Sequence, residues 1–118
     1  MASRLCTITV DAHNPTVLAE FWRHVFGYRV AFATPYEVAI ERAGDATAPA
    51  VLFLAVPDEK VVKNRMHFDL VPDDQATEVA RLQALGARRI DIGQGEVPWV
   101  VMADPEGNEF CILTPDDS

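Results

Sequence analysis

One pattern, written twice, constrains this chain more than any other feature. "LCTITVDA" (5–12) alternates, with Ile8 and Val10 on one face and Thr7, Thr9 and Asp11 on the other, as a half-buried strand does. Asn14 and Pro15 then supply an N-cap and a first-turn proline. Leu18, Phe21, Trp22 and Val25 follow at helical spacing, and Gly27 closes the helix. "YRVAFA", "YEVAIER" and "AVLFLAV" predict three further strands. The same order then begins again. "RMHFDLV" alternates, with Met66, Phe68 and Leu70 opposite His67 and Asp69. Pro72–Asp73–Asp74 opens a helix whose Val79, Leu82 and Leu85 share a face, and Gly86 closes it. "RRIDIG", "PWVVMAD" and "EFCILT" predict the last three strands. The two closing glycines stand half a chain length apart, so the repeat is one of strand–helix–three strands, carried by pattern more than by identity.

With 118 residues and 49% apolar side chains, the chain suits one globular domain, residues 1–118, built as two modules of about 1–57 and 64–118. "PDEKVVKNR" (57–65) is the linker between them, charged and expected to be exposed. "GDATAPA" (44–50) is a loop within the first. The net charge of -8 argues against a nucleic-acid partner, which needs a basic stripe. Arg88–Arg89 and Lys60–Lys63–Arg65 are the densest basic groups and suit solvated surface. The longest apolar run, Ala50–Val56, is far too short to span a membrane, and "MASRLCTITV" holds no apolar signal core, so the expected location is the cytoplasm. Cys6 and Cys111 are expected there as free thiols.

The turn "DPEGN" (104–108) fixes a register. Asp104 can accept backbone bonds, Pro105 presets φ, and Gly107 takes the position that needs positive φ. In the strand that follows, Phe110 and Ile112 then face the helix layer, while Glu109, Cys111 and Leu113 face away. Three strands from different parts of the chain therefore carry polar groups on their non-helix face: Thr7, Thr9 and Asp11; His67 and Asp69; Glu109 and Cys111. A flat sheet would make this a solvated surface, whereas a curled sheet would make it a lined cavity. His67 alone could be a hydrogen-bonded structural residue or a ligand or base. Trp99 could fill the core or line a cavity. His13 and His24 flank the first helix, and His24 suits its C-terminal dipole. No H-E-x-x-H, P-loop, G-x-S-x-G or C-x-x-C motif occurs.

"NPTVLAEFWRHVFGYRV" in the first half, with "MHFDL", "RLQALGARRI" and "PWVVMADPEGNEFCIL" in the second, resembles the vicinal oxygen chelate superfamily and, within it, the bacterial glyoxalase-like branch. The resemblance implies an α+β fold of two tandem βαβββ modules forming a curved mixed sheet around a cavity. Members include glyoxalase I, extradiol dioxygenases, fosfomycin-resistance transferases, epimerases and metal-free bleomycin-binding proteins. In metal-dependent members, His or Glu ligands sit on the first, fourth, fifth and eighth strands. Matched to this chain, those positions fall on Thr7, near Leu54, on His67 and on Cys111. Only His67 keeps a customary ligand, so the resemblance implies a small-molecule binder with no metal or other cofactor. The candidate contacts are Thr7, Thr9, His67, Asp69, Trp99, Glu109 and Cys111. The competing expectation is an enzyme (a lyase, isomerase or dioxygenase) that uses His67 as a general base, or a rearranged metal set drawn from His67, Asp69, Glu109 and Cys111. A scaffold role with a vestigial pocket is the third. The family's tendency to pair implies a homodimer.

Overall fold

The computed structural model describes residues 2–117. The chain divides into two units that part between Glu59 and Lys60. The first runs β1 (Thr7–Ala12), α1 (Pro15–Phe26), β2 (Arg29–Ala33), β3 (Glu37–Glu41) and β4 (Ala50–Ala55). Its sheet has the order β1-β4-β3-β2, with β1 and β4 parallel and the other pairs antiparallel. The Asn14 side chain accepts from the Val17 N–H at 3.2 Å, Pro15 occupies the first turn, and the helix ends on Gly27 at φ 69°. Helix α1 lies on β3 and β4, where Leu18, Phe21 and Trp22 are buried with Ile40 and Phe53. Each such side chain removed from water contributes about 1.5–3 kcal/mol before entropy is counted.

The second unit repeats the plan. It runs β5 (Phe68–Leu70), α2 (Gln75–Leu85), β6 (Arg88–Arg89), β7 (Val100–Ala103) and β8 (Glu109–Ile112), followed by a short 3-10 turn at Pro115–Asp117. The sheet order is β5-β8-β7-β6, again with its first and last strands parallel. The Asp74 carboxylate caps α2 by accepting from the Thr77 N–H at 2.9 Å, and Gly86 ends the helix at φ 117°. Leu82, Met102, Phe110 and Ile112 are fully buried. The predicted doubling is thus a doubling of topology: each module is a four-stranded mixed sheet with one helix.

Several strands are shorter than their apolar patterns. The alternation of "RMHFDLV" predicts Met66 on the core face, yet β5 begins at Phe68 and Met66 is 84% exposed. Phe68 is only half-buried, so Phe110, its neighbour in register, anchors the core in its place. β6 spans only Arg88–Arg89; the Ile90 N–H still donates to the Val101 carbonyl at 3.1 Å, and beyond it side chains take up the backbone donors. The Asp91 carboxylate accepts from the Gly93 N–H at 2.7 Å, and the Gln94 side-chain oxygen accepts from the Ile92 N–H at 2.8 Å. Among the described residues, no helix is long and apolar enough to cross a membrane.

Candidate functional site

The site begins at the 104–108 turn. Asp104 is completely buried, and its Oδ1 accepts from the backbone N–H groups of Glu106 and Asn108, each at 2.9 Å. The Asn108 amide donates back to Asp104 Oδ2 at 2.9 Å, and Gly107 takes φ 89°, a conformation that a Cβ would strain. A turn fixed this tightly sets the register of β8. All four β8 residues are buried, Phe110 and Ile112 completely, and alternation along the strand places Glu109 and Cys111 on the face opposite those two.

Parallel pairing then puts Asp69 directly opposite Cys111. His67, two residues before Asp69, falls on the same face. The imidazole Nδ1 of His67 lies 3.1 Å from Asp69 Oδ1. A carboxylate can only accept, so Nδ1 is the donor in this contact. Cys111 is buried beside Asp69. Burial, then the Asp69 charge and hydrogen bond, push the thiol above its ordinary value of 9.0, while the Lys63 ammonium pulls the other way. The donor atoms of His67, Asp69 and Cys111 all lie within 4.8 Å of one another, with His67 and Asp69 open to solvent.

Glu109 does not join them. Its carboxylate is 6% exposed and pairs with Lys60 Nζ at 2.8 Å, and it also accepts from the Asn64 N–H at 2.9 Å. Burial opposes its ionisation, but the Lys60 and Asn64 donors outweigh burial and hold it below the ordinary 4.5. The Asn64 amide also donates to Asn108 Oδ1 at 2.8 Å. The segment expected to be an exposed linker is therefore fastened to β8 through Lys60 and Asn64, although Val61, Val62 and Lys63 are exposed. Lys60 and Asn64 are the residues that sequence reasoning missed. The available signal was Glu109 itself, since a carboxylate on a buried strand needs a partner.

The other candidates are placed separately. Thr7 is half-buried and Thr9 exposed on β1, where they pair with Ala50 and Leu52. Leu54, at the implied fourth-strand position, lies on β4 beside Asp11. Trp99 immediately precedes β7 and is 39% exposed, so it does not fill the core. Cys6 is an exposed free thiol. His24 contacts Glu20 at 2.9 Å on the outer side of α1.

Two tandem βαβββ modules, each a four-stranded mixed sheet with one helix, set the class of fold. A family model described as "Glyoxalase-like domain" matches residues 7–113. The chain belongs to the glyoxalase-like domain family. Solved structures share the fold at low identity. A glyoxalase/bleomycin resistance protein/dioxygenase family enzyme from Burkholderia phytofirmans PsJN is 19% identical, with a TM-score of 0.65, covering 95% of this chain and 98% of its own. The fosfomycin resistance protein FosX from Mesorhizobium loti is 15% identical, with a TM-score of 0.70 and coverages of 96% and 92%. The bleomycin-binding protein of Streptomyces verticillus, solved with copper(II)-bleomycin, is 14% identical, with a TM-score of 0.60 and coverages of 97% and 98%. No curated protein matches the chain in sequence.

Proposed function

We propose that this protein binds a small molecule through the polar face of its second module, without the four-strand metal cage implied for metal-dependent relatives. One observation carries the reading: the donor atoms of His67, Asp69 and Cys111 converge within 4.8 Å, and two of the three side chains are open to solvent. Directed donors and acceptors on a rigid sheet are what ligand orientation requires. Thr7 and Leu54 speak against the cage, since a hydroxyl is a poor ligand for a divalent ion and an alkyl group is none. The bleomycin-binding and fosfomycin-resistance neighbours support a small-molecule role and suggest the first compounds to try. Calorimetric titration with bleomycin, copper(II)-bleomycin and fosfomycin, alongside a thermal-shift screen of small amphipathic compounds, tests the reading. His67→Ala should weaken a ligand found this way by roughly 5- to 150-fold, the loss of ~1–3 kcal/mol from one directed polar contact. Binding that is indifferent to both His67→Ala and Asp69→Asn would refute the site.

A second reading, enzymatic proton transfer, is favoured by the His67–Asp69 contact. A carboxylate in contact with Nδ1 fixes the orientation of an imidazole and turns its Nε2 outward as the candidate proton-transfer atom. Asp69→Asn would disturb turnover more than binding under this reading, and binding more than turnover under the first. The proposal extends to a homodimer. β2 is exposed at every residue, and Val30, Phe32 and nearby Tyr36 leave apolar surface in water. A monomeric mass by light scattering at micromolar concentration would count against pairing.

A further inference from the structure

We propose that residues 61–66 form a docking surface for a short acidic peptide segment of a partner protein, one that carries apolar side chains beside its carboxylates. The stretch "VVKNRM" precedes β5 and interleaves Val61, Val62 and Met66 with Lys63 and Arg65. All five of these side chains are exposed, Val61 at 89% and Val62 at 77%. With Met66 they are the three most exposed large apolar side chains among the described residues, and they stand within six positions of one another. A single exposed valine or methionine is ordinary, whereas three on one short stretch mark a surface that another molecule covers.

The stretch is anchored from beneath. Lys60 Nζ pairs with the buried Glu109 carboxylate at 2.8 Å and donates to the Val62 carbonyl at 2.7 Å. The Asn64 N–H donates to Glu109 at 2.9 Å, and the Asn64 side-chain amide donates to Asn108 Oδ1 at 2.8 Å. Lys60 and Asn64 thus hold the backbone on β8 and the 104–108 turn, and the outward residues have less freedom to lose on binding. The charges name the partner's chemistry. Glu109 neutralises Lys60, but among the described residues neither Lys63 nor Arg65 forms an ion pair. The Lys63 ammonium donates to the Asn64 carbonyl at 3.3 Å, a neutral acceptor. Two uncompensated cations in a chain of net charge -8 invert its field locally, and carboxylates are what they lack. Six residues reach at most about 20 Å, so the surface takes roughly six residues of peptide. A peptide suits it better than an anionic bilayer. The bilayer is repelled by the chain's overall charge, and two cations with three short apolar side chains hold it weakly. Peptide carboxylates engage Lys63 and Arg65 well within a Debye length of about 8 Å, where more distant acidic groups are screened. The surface goes beyond the small-molecule reading and does not rest on it.

Fluorescence anisotropy on the full chain, with a labelled octapeptide alternating glutamate and leucine, tests the proposal. One peptide per chain is expected, with a Kd on the order of 10–300 μM, as for a small transient contact. Binding should weaken as salt rises. Lys63→Glu combined with Arg65→Glu should weaken it by about tenfold or more, and Val61→Ser combined with Val62→Ser by about threefold or more, in protein with native circular dichroism. Arg42→Glu combined with Arg81→Glu alters the net charge equally, breaks only surface ion pairs, and should leave binding unchanged. Octapeptides alternating glutamine with leucine, or glutamate with serine, should bind about tenfold more weakly or worse. No saturable binding, indifference to the Lys63 and Arg65 changes, or an equal loss in the Arg42 and Arg81 variant overturns the proposal. Two other results also overturn it. Co-sedimentation with phosphatidylserine vesicles that the Lys63 and Arg65 changes abolish would assign the surface to a membrane. A fall in solution mass from dimer to monomer in that same variant would assign it to a second copy of the chain.

Discussion

Lys60→Met should be among the most damaging single changes outside the apolar core. It leaves the Glu109 carboxylate, 6% exposed, without its counter-ion, while the Asn64 N–H remains at 2.9 Å. Breaking a deeply buried pair costs about 3–5 kcal/mol, and the 17% exposure of Lys60 together with the surviving Asn64 bond reduces this to about 2–3 kcal/mol. For a chain of this length the unfolding entropy is roughly 0.25 kcal/mol per kelvin, so the melting temperature should fall by about 8–12 °C. Glu109→Gln removes the stranded charge, and the double variant should be more stable than Lys60→Met alone. The pH dependence has a fixed sign. Glu109 titrates below 4.5 when folded, so its contribution is present above 4.5 and is lost as pH falls through the folded value. Urea denaturation of the four proteins, at neutral pH and then in acid below 4.5, measures the cycle. A Lys60→Met cost under about 0.5 kcal/mol, or a cost unchanged in the Glu109→Gln background, would refute the reasoning.

Three further outcomes are expected. Phe110→Ala should destabilise by about 3–5 kcal/mol in chemical denaturation, because Phe110 is fully buried, whereas half-buried Phe68→Ala should cost clearly less. Asn14→Ala removes the side-chain acceptor for the Val17 N–H and should cost about 1 kcal/mol by the same measurement. Asp74 caps α2 and is held below its ordinary 3.8 by the Thr77 side-chain and backbone donors. Its support is therefore present above 3.8 and fades as pH falls through the folded value, and Asp74→Asn should flatten the acid limb of a thermal-melt series.

The helices were legible because their ends are written in local chemistry. Asn14–Pro15 and Asp74 start them and Gly27 and Gly86 stop them, each within one turn. The faces of β8 were legible because the 104–108 turn fixes the register and alternation does the rest. The division of the polar residues was not. Alternation puts Glu109 and Cys111 on one face, but which of them meets Asp69 depends on a parallel pairing between segments more than forty residues apart. Glu109 is diverted by the Lys60 ammonium and the Asn64 backbone N–H, which lie in a stretch with no periodic signal. The extent of β5 and β6 was misread for a related reason: apolar alternation continues past the point where backbone donors are captured by side chains or lose their partner strand.

In both modules the first strand pairs with the last, which has a consequence for synthesis. A parallel pair cannot form until everything between its strands has been made, so each module is a loop of chain closed by its final strand. The first module can close once β4 has left the ribosome. The second holds β5 without its partner, with His67 and Asp69 on a bare edge, until β8 arrives with Cys111. The cluster is thus among the last features of the molecule to exist. A nascent chain halted before residue 109 would expose that edge to pairing with other chains, and limited proteolysis of arrested chains of increasing length should show protection of 60–75 appearing in one step as β8 emerges.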